Sequence, residues 1–231
     1  PFVDLGNMSR ESRLWTKVLE VDTERNIKIS LIEDPTSDSP GDAWCAWCLW
    51  PAAKVLMAYL STMEDPLLKQ SSVLELGSGC GAVGMYAAMR GAHPVVLSDV
   101  NEALPLLKRN VVANHLGSRC VTCAVPWGTS VERLAAEVQC HRPFDLVLAA
   151  DCSYDFVTPE LPSSIDALLA TARACGKRAL ICVSRRKNEV EAFIAAANRA
   201  GLDAHVVHTA EVDESKEGVA ECLIFSFDFV Q

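Results

Sequence analysis

From Ser72 onward the chain alternates short apolar runs with longer stretches whose apolar residues recur at three- and four-residue spacing. That order calls for a mostly parallel sheet, because parallel strands need long crossover connections and helical crossovers cover both faces of the sheet. The expected strands are SVLEL (72–76), PVVLS (94–98), CVTCAV (120–125), FDLVLAA (144–150), RALICV (178–183), DAHVVH (203–208) and AECLIFSFDF (220–229), seven in all. GAVGMYAAMRG, NEALPLLKRNVVANHLG, TPELPSSIDALLATARACG and NEVEAFIAAANRAG read as the helices between them, most ending at Gly. The last connection, Thr209 to Val219, is short and acidic and ends in Gly218, so the final two strands are expected to form an antiparallel hairpin. The fold class is therefore α/β, a doubly wound seven-stranded sheet, mostly parallel, with an antiparallel last strand.

Upstream, TKVLEVD and NIKISLIE form a small β element, and the Pro, Ser, Asp and Gly of EDPTSDSPGD mark a loop. The chain divides into an N-terminal β extension and loop over 1–43 and a main domain over 44–231, compact as one unit. WPAAKVLMAYLSTM opens that domain as a helix, with Pro51 where its missing N–H does no harm.

Composition narrows the function classes. With 231 residues, 50% of them hydrophobic, the chain can bury a full core and is not a disordered segment. A net charge of −9 argues against holding nucleic acid through broad phosphate neutralisation. The longest run without Asp, Glu, Lys or Arg, Leu76 to Met89, contains several glycines and falls short of the roughly 20 apolar residues that span a bilayer. No membrane partner is expected, and neither end carries the pattern of an export leader. The ten cysteines read as reduced thiols, which predicts a cytoplasmic setting and is equally compatible with the nucleus. Two pairs have CxxC spacing, Cys45/Cys48 and Cys120/Cys123; the second falls on a strand, where residues three apart face opposite ways, so a zinc site is not expected. The five histidines show neither metal spacing nor a Ser or Cys partner.

The chemistry is concentrated in VLELGSGCGAVG. Glu75 stands at the end of the first main strand, and Gly77, Gly79, Gly81 and Gly84 let the chain turn tightly into a helix and approach a ligand closely. Gly79 to Gly84 satisfies the GxGxxG pattern of a dinucleotide site, a weak signal alone. The Glu75 carboxylate would repel a pyrophosphate but suits the ammonium of an amino-acid-bearing cofactor. Asp99, at the end of the next strand, is placed to accept hydrogen bonds from both hydroxyls of a ribose. Together these favour S-adenosylmethionine over NAD.

LWPAAKVLMAYL, VLELGSGCGAVG, LSDVNEALPLLKRN, the VPWG around Trp127 and AADCSY together resemble the seven-β-strand methyltransferases of Rossmann-like fold, and within them the family-16 protein-lysine methyltransferases. The resemblance runs from Leu49 to about Phe193. It implies that Trp50, Gly77, Ser78, Gly79, Asp99, Trp127 and Ala150 contact the cofactor. It also implies that Asp151 and Tyr154, the ends of a DxxY motif, line a lysine channel, with a protein as substrate. Many members carry Asp where this chain has Pro51. Trp127 would supply part of an apolar slot for adenine, and Trp50 would close over the cofactor. Asp151 and Tyr154 would orient the acceptor amine by accepting its hydrogens. Arg185 and Arg186 reach the same edge, as contacts for an acidic substrate patch or as solvated surface. Two other classes stay open: an NAD-type oxidoreductase on the same glycine loop, and a cofactor-binding protein without turnover.

Overall fold

The computed structural model describes residues 14–34, 46–125, 127, 143–152, 164–213 and 219–229. A two-stranded antiparallel hairpin, β1 (Trp15–Asp22) and β2 (Ile27–Glu33), precedes helices α1 (Pro51–Thr62) and α2 (Asp65–Leu68). Then follow β3 (Val73–Leu76), α3 (Ala82–Met89), β4 (Val95–Asp99), α4 (Leu104–Ala113), β5 (Cys120–Ala124) and β6 (Leu146–Ala150). The chain continues with α5 (Ser164–Cys175), β7 (Arg178–Arg185), α6 (Glu189–Arg199), β8 (His205–Asp213) and β9 (Val219–Asp228).

The large sheet has the order β5-β4-β3-β6-β7-β9-β8. Its pairs are parallel from β5 to β7, while β9 runs antiparallel to both β7 and β8. All seven expected strands are present in the expected class of sheet. The last hairpin is longer than its apolar content predicts, since Thr209 to Asp213 stay paired with Leu223 to Val219. The reason is alternation: Ala210 and Val212 pack against the core while Thr209 and Glu211 are exposed, so an acidic segment still offers one apolar face. Loop residues 35–42, Cys45 and Tyr154 lie outside the described residues.

Successive strand residues supply two cores. Val73, Val95, Leu97, Leu148 and Leu180 face α1, α3 and α4; Leu74, Leu76, Val147, Ile181 and Phe225 face α5 and α6. Cys120 belongs to the first core and Cys123 packs against the second, opposite faces as their spacing predicts. No helix among the described residues is long and apolar enough to cross a membrane.

Helix α3, AVGMYAAM, has no polar face, and Ala82 to Ala88 are all buried. A helix apolar all round must be covered on its far side too. The hairpin provides that cover, with Ile29 and Leu31 fully buried in the same core as α1 and α3. One polar cluster anchors it: the Tyr86 hydroxyl donates to Asp22 (2.9 Å), Arg90 donates to the Tyr86 oxygen (3.0 Å) and to Asp65 (2.7 Å), and Arg25 pairs with Asp22 (3.0 Å). Because most of these groups are buried, satisfying them together fixes the hairpin's position more sharply than apolar packing alone.

On its inner side α3 lies so near β3 and β4 that a Cβ at Gly84 would overlap the Leu97 side chain and come within 2.7 Å of a Glu75 carboxyl oxygen. Gly84→Ala is therefore expected to lower unfolding stability by about 1–3 kcal/mol, the usual cost of overpacking. Denaturant titration checks this; an unchanged midpoint would show that α3 can lift off the sheet freely.

Candidate functional site

The parallel strands β3 to β7 end at one edge of the sheet. β3 sits where the connections diverge, toward β4 on one side and β6 on the other, and a crevice at such a point is where open α/β sheets bind ligands. The turn after β3 is held down by short polar contacts. The Ser78 N–H donates to the Ser98 carbonyl (2.9 Å), the Ser98 N–H donates to the Ser78 hydroxyl (2.9 Å), and the Ser98 hydroxyl donates to the Glu75 carbonyl (2.6 Å). Ser78, expected to contact the cofactor, is buried and serves visibly as a clamp between the turn and β4.

Gly77 has φ +62°, and a Cβ there would lie 2.5 Å from the Cys152 sulfur and 3.6 Å from the Trp127 ring. A side chain would be strained by the backbone and would collide with Cys152, so only Gly lets the turn, the residue after β6 and the indole lie this close. Asp99, the last residue of β4, accepts the Gly79 N–H (2.7 Å) and the Val100 N–H (2.7 Å), one on each oxygen. A carboxylate has about four acceptor positions, so among the described residues each oxygen keeps one for a further donor. Burial raises the Asp99 pKa, and the Gly79 and Val100 amides oppose that shift.

Glu75 is completely buried under the turn, where its carboxyl accepts the Gly84 N–H at 3.0 Å. Burial pushes its pKa up to about 8, and the neighbouring Asp99 adds to the rise, against the opposing pull of the Gly84 amide and the Ser78 hydroxyl. The visible work of Glu75 is to tie the first turn of α3 to β3.

Across the crevice, Ala150 ends β6 and Asp151 follows with φ +58°, an uncommon conformation for a residue other than Gly, though Asp adopts it more readily than most. Its N–H donates to the Cys182 carbonyl (2.9 Å), and its carboxylate is gripped by the Arg186 guanidinium through two contacts, 3.1 and 2.7 Å. The same guanidinium lies 5.4 Å from the ring centre of Trp50, the residue that precedes α1. Cys152 tucks its thiol against the Leu76 carbonyl (3.3 Å), and burial, with Asp99, Asp151 and Glu75 nearby, raises its pKa well above the ordinary thiol value, so it stays neutral.

The structure thus brings Glu75, Gly77, Ser78, Gly79 and Asp99 together around one turn, sets the Trp127 ring beside Gly77, and links Asp151 to Trp50 through Arg186. Arg186, read in the sequence as a substrate contact or solvated surface, is instead a partner of two expected site residues. Its signal was its place directly after β7, at the edge where Asp151 ends up. Arg185 takes no part in this cluster and pairs with Glu221 (2.8 Å) and Glu191.

Residues 32–200 match the profile of a family described as lysine methyltransferase. Over 109 residues the chain is 39% identical to protein N-lysine methyltransferase METTL21A of Mus musculus, covering 46% of this chain and 47% of that protein. Over 176 residues it is 30% identical to calmodulin-lysine N-methyltransferase of Arabidopsis thaliana, covering 72% of this chain and 53% of that protein. The chain spans about half the length of these curated relatives. A 16S rRNA methyltransferase from T. thermophilus, solved with AdoMet and guanosine, superposes with TM-score 0.58 at 15% identity, over 94% of this chain and 51% of that one. At that identity the likeness speaks for the fold alone. With the profile spanning most of the chain and the glycine turn, Asp99 and Asp151 all inside it, the chain belongs to the lysine methyltransferase family.

Proposed function

We propose that this chain is an S-adenosylmethionine-dependent methyltransferase that delivers the methyl group to a lysine side chain of a protein. The observation that carries the reading is the glycine turn between the buried Glu75 and the half-buried Asp99: Asp99 holds the Gly79 amide and, among the described residues, keeps acceptor positions open. A sulfonium nucleoside fits this set. It brings a ribose whose hydroxyls match the open Asp99 positions and carries two positive groups near a site where carboxyls are otherwise pushed toward protonation. The cofactor, when bound, supplies a methyl group on a positively charged sulfur and leaves as a neutral thioether.

Asp99 would take the ribose, Trp127 one wall of the adenine slot, and Trp50 the outer cover. Gly77, Ser78 and Gly79 would shape the floor, and Ala150 the turn from cofactor to acceptor. Glu75 stabilises the ammonium end directly or through water while keeping the turn in place. In-line transfer needs the acceptor amine uncharged and held at near-attack distance, although a free lysine has a pKa of about 10.4. Asp151 and Tyr154, with nearby backbone carbonyls, would orient that amine, and bulk water would take the released proton. The ion pair to Arg186 has a clear consequence here: it cancels the charge of Asp151, so the acceptor end does not stabilise an ammonium and favours the neutral amine.

METTL21A and calmodulin-lysine N-methyltransferase are by their names enzymes acting on protein lysines, which supports a protein acceptor. So does the net charge of −9, which suits a folded nucleic acid poorly. The described cysteines form no disulfides, which accords with a reducing cytoplasmic or nuclear setting. The reading is tested by incubating the protein with radiolabelled methyl donor and fractionated cell extract. Label on lysine in a protein band is expected; label confined to RNA, or to no fraction at all, would contradict it.

Three further outcomes are expected. Asp99→Ala should weaken binding of the demethylated product by about 1.5–3 kcal/mol in calorimetry, the range for hydrogen bonds to a charged group; unchanged affinity would remove Asp99 from the ribose. Arg186→Gln should move the acid limb of the pH–rate profile for kcat to higher pH, because an uncompensated Asp151 holds the lysine as ammonium; a uniform loss at all pH values would contradict this. Glu75 has its folded pKa raised from 4.5 to about 8, so the folded state holds the extra proton between those values. Its contribution to stability is full below about 4.5 and is lost as the pH climbs through that window. Without cofactor, the midpoint of unfolding should therefore fall across that range by more in the wild type than in Glu75→Gln; equal slopes would mean Glu75 is ionised in the folded protein.

A further inference from the structure

We propose that the N-terminal hairpin is a positioning element of the cofactor turn, acting through Asn110 and Glu33. The proposal rests on the cofactor reading of the glycine turn and not on the identity of the acceptor.

Among the described residues, no strand lies beside the outer edge of β2. Asn110 of α4 and Asn114, the residue that caps its end, take that place. The Asn110 amide oxygen accepts the Ile32 N–H (2.7 Å) while its NH2 donates to the Ile32 carbonyl (3.1 Å). Asn114 does the same for Ser30, at 2.9 and 2.7 Å. Four residues of helix rise about 6 Å and two residues of strand about 6.6 Å, so an i, i+4 pair can serve alternate strand residues in register. Asn110 is fully buried, and its second N–H donates to the Cys80 carbonyl, inside the glycine turn, at 2.9 Å. One side chain thus joins β2 to the turn.

A second connection leaves the same end of β2 and reaches the turn at Gly79. The buried Glu33 carboxylate accepts the Leu49 N–H at 2.6 Å and pairs with Lys17 at 2.7 Å, and the Asp34 N–H donates to the Trp47 carbonyl at 3.0 Å. These bonds fix the strip 46–50, whose Ala46 carbonyl would lie 3.4 Å from a Cβ at Gly79. The turn is therefore confined between Cys80, held through Asn110, and Ala46, held through Glu33 and Asp34. Neither Asn110 nor Glu33 belongs to the set expected to touch the cofactor.

If ligand binding orders the turn, the same bonds must steady β2, because coupling between two sites acts in both directions. Hydrogen exchange of the full-length protein with and without S-adenosylhomocysteine is the direct test. Amide exchange over residues 27–34 is expected to slow by about threefold or more on binding, although those residues lie behind the site. Slowing confined to the turn and the crevice would overturn the proposal. Calorimetry of variants supplies the converse. Asn110→Leu, similar in volume but without the amide, and Glu33→Leu should each weaken product binding on the order of tenfold in folded protein, whereas Glu33→Gln, which still accepts the Leu49 N–H, should bind nearly as the wild type. A purely structural role would lower the melting temperature of the leucine variants and leave the affinity of their folded fraction unchanged, which also contradicts the proposal. Should Asn110→Leu fail to fold, the Glu33 pair and the exchange measurement decide alone. No measurable binding by the wild type would overturn the cofactor reading and this proposal with it, whereas product binding without lysine methylation would leave the proposal standing on its own result.

Discussion

The contact between the Glu75 carboxyl and the Gly84 amide sets the position of everything around the crevice. It brings the first turn of α3 onto β3, closer than any side chain at residue 84 permits, and that closeness bends the intervening glycines into the turn. The carboxyl is buried to make this bond, and its raised pKa follows from that burial. Helix α3, pressed on the sheet by one side and apolar on the other, then requires a second layer, which the hairpin supplies. The apolar joint between the fold's two parts is thus a helix buried on both sides, and the polar bonds of Asn110, Asn114 and Glu33 add to it.

Charge is arranged in opposite ways on the two halves of the crevice. On the half proposed to take the cofactor, the partners of Glu75 and Asp99 among the described residues are backbone amides and a hydroxyl, and burial drives both acids toward protonation, so a positively charged ligand is favoured. On the half proposed to take the acceptor, Asp151 is matched by Arg186. A sulfonium on one side and an uncharged amine on the other are what methyl transfer to lysine needs. The likeness to an rRNA methyltransferase does not weigh against this, since at 15% identity it speaks for the fold, and a fold does not fix the acceptor.

Much of this was readable in the residues. The alternation after Ser72 forecasts the sheet, and Glu75, the glycines and Asp99 stand out because their spacing is tied to local chain geometry: a strand end, a turn, the next strand end. What the sequence hid depends on contacts between distant segments. The place of Arg186 directly after β7 puts it at the right edge, but which partners it takes there, Asp151 35 residues earlier and the Trp50 ring, depends on segments far apart in the chain. The hairpin reads as an extension because its inner residues are few, and its integration shows only in α3's lack of a polar face and in Asn110 and Asn114, whose i, i+4 spacing on α4 gains meaning once β2 lies beside them. Thr209 to Asp213 read as a connection because charge masks a period-two pattern.

The sign of the charge that the glycine turn accepts is the core of the account, and protons report it. Near pH 7 the Glu75 carboxyl is largely protonated in the free protein. A cationic nucleoside should draw its pKa down and release a proton on binding, whereas a pyrophosphate would push it further up and take none away. Titrating S-adenosylmethionine into the protein by calorimetry, in buffers of different ionisation enthalpy, measures this count directly. Binding with release of a fraction of a proton approaching one is the result predicted; proton uptake, or tight binding of NAD in place of the methyl donor, would contradict it.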